Sequence, residues 1–423
     1  MDMDSLKKIG QSILKRAGDR PAQVFIRTKK GILARFANNG VHQNNFQDLF
    51  SYVLRALTPK SPVYVESNDP SEKGIQAAWD KFAELVPHPG PIPKSQGTCP
   101  RIRESFPLRI EEAPSLAVRA IGESLKRIRG EPASANGYYS AYERMFYLAD
   151  TNGLERLHPA TAVRFGVTIT KGNGKGYFSF YHPDVRKLSV DPVVDEAIEL
   201  AEFASRAEVN LGPGAYECIF SPRAFLELME PLRRHFDRRL TEDRKSVFSG
   251  LVGKKVFSKA FTLHDDLHHS RQFGLPFDAE GSPRKKVALV KEGILRELLG
   301  QGSSTRGLSE HPFYPQNLVV EEGDLTLREL FKSVRKGVFI NKIWYHTLVR
   351  EGAMEVTGLA TAGSLYIERG RIRGRVVRLR YHDSLFSILR SVIGATREQI
   401  LLKDGETGAA LFPYLWVSRL RLV

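Results

Sequence analysis

Strand-like runs closed by tight-turn residues recur along this chain, and that pattern restricts it to a fold built on antiparallel sheets. Residues 22–36 alternate as a strand pair that turns at Lys29-Lys30-Gly31, and Asn38-Asn39-Gly40 is a hairpin signal because these residue types tolerate positive φ. Residues 138–148 and 154–170 read as strands, followed by a glycine-rich turn from Lys171 to Gly176 and a further strand over 177–181. Residues 288–295 and 365–377 are hairpins, the second turning at Arg369-Gly370, and 411–422 close the chain as a strand.

Helices fall mostly in the first half. Leu6, Ile9, Ile13 and Leu14 line one face of a short amphipathic helix. Asp69 or Ser71 caps a helix running to Leu85, residues 114–128 form another, and Asp191-Pro192 opens a third. The stretch 87–101 is proline-rich and reads as a linker, while Leu211-Gly-Pro-Gly214 marks a break before a strand at 216–220 and a helix from 222 to about 236. The expected fold is α+β: an N-terminal α+β domain over 1–212, then a mostly antiparallel β, barrel-like domain over 213–423. A length of 423 residues suits two cores rather than one.

Composition excludes several classes of function. No run approaches the roughly 18 apolar residues of a membrane span, and the N-terminal segment lacks the apolar core of a secretory signal. Cys99 and Cys218 are too few for a disulfide framework, so a reducing cytoplasm is the expected location. The 63 Lys and Arg against 48 Asp and Glu give a net charge of +15. These basic residues lie in small scattered groups, Arg233-Arg234, Arg238-Arg239 and 369–380, without interleaved aromatics, which argues against nucleic acid as a partner.

His264-Asp265-Asp266-Leu267-His268-His269 is the sharpest chemical signal. It satisfies His-Asp-x-x-His and His-Asp-x-x-x-His, which differ from zinc-peptidase signatures by Asp in place of Glu. If helical, two imidazoles would share a face and Asp265 would sit between them as the base, although its carboxylate stops about 1.5 Å short of a glutamate's reach. The competing reading is a polar strand end that happens to hold three histidines. Other candidates are weaker. Gly172-Asn-Gly-Lys-Gly176 lacks the phosphate-loop pattern and reads as a hairpin turn; Cys218 lies within an apolar strand and reads as inert core. His235 reads as a solvated helix end, and His311, His346 and His382 share no uniting spacing.

A series of landmarks then appears in order. Gly214-Ala-Tyr-Glu-Cys-Ile-Phe-Ser-Pro-Arg-Ala is followed by 251–258, Phe261-Thr-Leu-His-Asp-Asp266, Phe277-Asp-Ala-Glu-Gly281 and Val290-Lys-Glu-Gly-Ile-Leu295. Ser304-Thr-Arg306, Pro315-Gln-Asn-Leu318, 323–330, 337–340 and 366–372 continue the series, and upstream Val24 to Gln43 and Asn152-Gly153-Leu154 fit it too. This series resembles the TldD/PmbA family over most of the chain. The departures are Thr357 to Gly363 in place of a glycine-rich family stretch, and Tyr381-His-Asp-Ser where a Gly-Asn is usual.

The resemblance separates two branches. The TldD-like branch resembles a zinc peptidase, with His-Glu-x-x-x-His on the helix after the first strand of the second domain and a cysteine near the C-terminus. Here that helix begins Pro222-Arg-Ala-Phe-Leu-Glu-Leu-Met-Glu-Pro without the histidine pair, and 385–423 hold no cysteine. The PmbA/TldE side is therefore implied: a non-catalytic subunit, inactive alone, with no catalytic residue, metal ligand or cofactor of its own. Zinc is expected in a TldD-like partner, and unfolded peptide is the expected substrate. The resemblance also moves Asp265-Asp266 to an acidic pair at a strand end, so His264, His268 and His269 fall away from the zinc helix. The alternatives are a zinc peptidase built on His264 to His269, or a basic protein associated with nucleic acid, in line with the family's older label as modulators of DNA gyrase.

Overall fold

A computed structural model of the chain describes residues 2–56, 63–92, 94, 97–99, 112–300, 315–405 and 408–423. His311 and the Ser304-Thr305-Arg306 landmark lie outside the described residues, as does part of the 87–101 linker.

The first sheet is wholly antiparallel. Its strands are β1 (Gln23–Ala37), β2 (Gly40–Ala56), β3 (Val63–Ser67), β4 (Ala133–Asp150), β5 (Glu155–Lys171) and β6 (Gly174–His182), in the order β3-β2-β1-β4-β5-β6. The hairpin at Asn38-Asn39 is present, with φ of 50° and 66° at the two asparagines. The turn expected at Lys29-Lys30-Gly31 is absent, because β1 runs straight through it, paired with β2 and β4 on both sides. Gly31 is there for close packing: a Cβ would come within 2.3 Å of the Ala141 carbonyl oxygen.

Helices α1 (Met3–Lys15), α2 (Glu72–Leu85), α3 (Ala113–Arg127) and α4 (Val190–Ser205) cover this sheet. Leu6 and Ile13 of α1 join Ile75, Trp79 and Phe82 of α2 in one cluster, and the Trp79 indole donates to the Ile13 carbonyl at 2.8 Å. Ser71 is the α2 cap, accepting from the Gly74 N–H at 3.1 Å. The Gly172–Gly176 stretch is a hairpin turn, as expected, and also a seat for a helix. A Cβ on Gly174 or Gly176 would lie 2.1 Å from a carbonyl oxygen of α4.

Among the described residues the second sheet has 14 strands and is mostly antiparallel, with parallel pairs at Gly214–Phe220 on Lys336–Ile340, Leu318–Val320 on Gly408–Leu422, and Glu208–Val209 on Arg371–Val376. The hairpins expected at 288–295 and 365–377 form, with Glu292-Gly293 and Arg369-Gly370 at positive φ in their turns. One face is covered by α5 (Pro222–Arg233) and a group of aromatic rings that includes Phe225, Phe236, Phe248, Phe257 and Phe261. The other face receives Ala204 from α4, together with the helix Leu327–Ser333. Since Val190, Val194, Ala197 and Ala201 of the same α4 sit in the first domain's core, one helix is shared by both cores. Arg55 and Arg156 of the first sheet also donate to the carbonyls of Ala279 and Gly281, within the Phe277–Gly281 landmark.

Candidate functional site

The histidine cluster is not a helix. His264 and Asp265 lie on the buried strand Leu263–Asp265, between Val287–Lys291 and Leu318–Val320, and the chain turns directly afterwards. Only His264 is on the strand; His268 and His269 lie in the turn that follows, and the three rings are drawn to different partners. His264 Nε2 donates to Glu321 Oε1 at 2.8 Å, His268 Nε2 donates to the Arg284 carbonyl at 3.2 Å, and His269 Nδ1 accepts from the Arg271 N–H. Asp265 is held by Arg284 Nη2 at 2.8 and 2.9 Å and by the Asn317 N–H at 2.8 Å; Asp266 is held by Lys286 and the His268 N–H. Among the described residues no three His, Cys, Asp or Glu side chains are gathered as a metal site.

The remaining single residues also find their places. Cys218 is fully buried, and burial pushes its thiol well above the usual range, in keeping with inert core. His235 corrects the expectation of a solvated helix end: it is fully buried, its Nδ1 accepts from the Val247 N–H, and burial lowers its pKa. The cause is a 3-10 turn over Arg234–Phe236, which rolls the ring inward after α5 ends at Arg233. His382 lies on the strand Arg380–Ser384, paired with Thr357.

His346 shares a 2.9 Å hydrogen bond with the Tyr381 hydroxyl, and burial pushes its pKa from 6.5 down to about 4, opposed by the backbone at Leu228 and by Glu230. The folded chain therefore keeps this ring neutral down to about pH 4, while the unfolded chain protonates it near 6.5. Proton uptake favours unfolding across that window, so stability should fall as pH drops from 6.5 toward 4. In His346→Gln, the slope of unfolding free energy against pH in that window is expected to flatten. An unchanged slope in urea titrations would remove His346 as the cause.

A second polar group lies where α5 meets the first sheet. Ser221 caps α5, accepting from the Ala224 N–H at 3.1 Å and donating to the Asn341 carbonyl at 2.6 Å. Asn341 in turn donates from Nδ2 to the Tyr177 carbonyl at 2.8 Å, which ties the end of the Lys336–Ile340 strand to β6 of the first sheet. On the first turn of α5, Arg223 Nε donates to Glu227 Oε1 at 3.0 Å. Lys342 places its ammonium 4.1 Å from the centroid of the Tyr177 ring, and Arg164 lies 5.3 Å from that of Tyr138.

The electrostatics show that these groups form one cluster. Burial pushes the Tyr138 hydroxyl up to about 12; Tyr177 adds to this, while Arg164 and Arg223 oppose it. Burial lowers the Lys342 pKa, with Glu227 pulling it back and Arg223 adding to the lowering. Burial raises that of Glu227 against the pull of Arg223 and Lys342. Beside Arg223 and Asn341 is a cavity of about 20 Å³, room for one water-sized group. Lys342 also begins the strand Lys342–Arg350, which among the described residues is paired on one side only, with Glu355–Thr361. Trp344 on that strand is 74% exposed.

None of these residues stands out in the sequence, since they come from β4, β5, β6, α5 and a distant strand. The Arg223–Glu227 spacing of four on a predicted helix is the only local signal.

Comparison with known proteins bears on this arrangement. Residues 213–423 match the family model described as the PmbA/TldA metallopeptidase C-terminal domain. The chain is 21% identical over 321 residues to Metalloprotease PmbA of Escherichia coli O157:H7, covering 73% of this chain and 70% of that protein. It is 23% identical over 201 residues to Uncharacterized protein MJ0231 of Methanocaldococcus jannaschii, 44% of this chain and 46% of that one. The chain thus spans less than half the length of the first curated relatives it matches. Its fold is similar to the crystal structure of TldE from Thermococcus kodakarensis, with a TM-score of 0.80 and 18% identity over 100% of this chain and 99% of that one.

Proposed function

Because the chain belongs to the PmbA/TldD family, carrying that family's C-terminal domain over residues 213–423, we propose that it is a PmbA/TldE-like, non-catalytic subunit of a TldD/TldE-type metallopeptidase complex acting on unfolded peptides. A TldD-like partner would hold the zinc, and the pair would work in the cytoplasm. No described helix is long and apolar enough to cross a membrane.

The observation that carries this reading is the state of α5. Zinc needs three or four nitrogen, sulfur or carboxylate ligands converging at about 2.0–2.3 Å. The two carboxylates of α5 are each paired with an arginine of the same helix, Glu227 through Oε1 with Arg223 at 3.0 Å and Glu230 with Arg233 at 2.9 Å, and the nearest histidine in sequence, His235, is buried after the helix ends. These residues do not fit a zinc ion. Among the described residues the Lys342–Arg350 strand is paired on one side only, which supports the peptide side of the reading, because an open strand edge can accept an extended chain through backbone hydrogen bonds with little demand on its sequence.

The test is hydrolysis of an unfolded peptide by this chain alone, by a TldD-like subunit alone and by the two mixed. Turnover is expected to depend on the partner's zinc, with less than stoichiometric zinc in this chain when purified alone. Hydrolysis by this chain alone, or a full equivalent of bound zinc lost in His264→Ala, would overturn the reading.

A further inference from the structure

Three cations and one carboxylate gather near two tyrosines of the first sheet. Arg164, Arg223 and Lys342 surround Tyr138 and Tyr177, and Glu227 is the sole acid among them. Arg223 is answered by Glu227, whereas among the described residues Arg164 and Lys342 have aromatic faces but no ion pair. A ring face attracts a cation without neutralising it, and one carboxylate, which pulls on both Arg223 and Lys342, leaves the cations in excess. The group is left with a demand for an anion.

We infer that this cluster is an anchor for the carboxylate of a peptide, in the first place its C-terminal carboxylate, held by Lys342 and Arg164 beside the cavity at Arg223. The inference rests on the peptide-handling reading above and deepens it. The chemistry favours a carboxylate over a phosphate. Glu227, 3.0 Å from Arg223, penalises a dianion more than a monoanion. Placement favours a chain end. Lys342 opens the strand Lys342–Arg350, paired on one side only among the described residues, so a peptide laid along its other edge reaches the cations where the strand begins. Trp344 and Tyr345, 74% and 50% exposed, would contact its side chains.

The test uses the full chain and three fluorescein-labelled unstructured decapeptides of the same neutral sequence. One has a free C-terminal carboxylate, one a C-terminal amide, and one an amide with a single internal glutamate. Anisotropy titrations at low and moderate salt are expected to show the free acid binding about tenfold tighter than the amide, the worth of one charge-assisted pair. That margin is expected to collapse in Lys342→Met and to survive in Lys342→Arg, each with unchanged thermal unfolding. Recovery by the glutamate peptide would identify any carboxylate, and not only a chain end, as the ligand. Equal binding of acid and amide would overturn the anchor while leaving peptide handling intact, as would a margin that persists in Lys342→Met combined with Arg164→Gln. If no peptide binds, the peptide-handling reading falls with it.

Discussion

Replacing Arg233 with alanine is expected to destabilise the chain more than any other single change to a polar residue. Arg233 is 7% exposed, and its two terminal nitrogens donate to both oxygens of Asp404 at 2.8 and 2.7 Å. It also reaches the Pro315 carbonyl at 2.6 Å and Glu230 at 2.9 Å. Removing the guanidinium strands the Asp404 carboxylate, 7% exposed, and leaves a carbonyl without its donor. Breaking a buried pair from one side costs about 3–5 kcal/mol, because the surviving charge keeps its desolvation penalty. Urea unfolding should register that loss, and the thermal midpoint should drop on the order of 10 °C. The control is Arg233→Met with Asp404→Leu, which removes both charges and should restore most of the stability. If the single variant costs no more than the double, the pair is not what holds this corner together.

Gly176→Val is the second large effect, and it acts by steric exclusion. The backbone at Gly176 is not in the left-handed region, so valine is conformationally tolerated; the obstacle is α4. A Cβ there would stand 2.1 Å from the Ala197 carbonyl oxygen and 2.6 Å from the Ala201 nitrogen. Those atoms belong to a helix backbone and cannot swing away, so the whole helix must lift. Overpacking of this kind costs about 1–3 kcal/mol at ordinary sites, and more is expected here, because α4 belongs to both cores. Unfolding followed separately in the two domains should lose its coincidence in this variant. Gly172→Ala serves as contrast: it has open space but a φ of +55°, so only the left-handed backbone is penalised, by about 1–2 kcal/mol. Equal behaviour of the two variants would mean that contact with α4 is not the reason for glycine at 176.

Local grammar was legible wherever neighbours in sequence are neighbours in space. The hairpins at Asn38-Asn39, Gly172–Gly176, Glu292-Gly293 and Arg369-Gly370 form where their turn residues put them, and α2 starts at its serine cap. The same reasoning failed at Lys29-Lys30-Gly31, because a glycine after two lysines signals a turn equally well as a strand position pressed against a neighbour. His235 failed for a related reason, since nothing in the sequence says that the chain tightens after Arg233 and turns the ring inward.

By itself, then, the sequence determined an antiparallel α+β architecture, the family landmarks of the second domain, and an α5 that lacks a histidine pair. Periodicity, turn chemistry and residue identity are properties of short segments, and they survive without knowledge of what packs against them. Tertiary structure alone decided two things. It separated His264, His268 and His269 onto different partners along a strand and turn, and it gathered Arg164, Arg223, Lys342, Glu227 and two tyrosines from separate elements. Charges act through space and not along the chain, so a conspicuous motif can be dispersed and an inconspicuous set of residues can become a site.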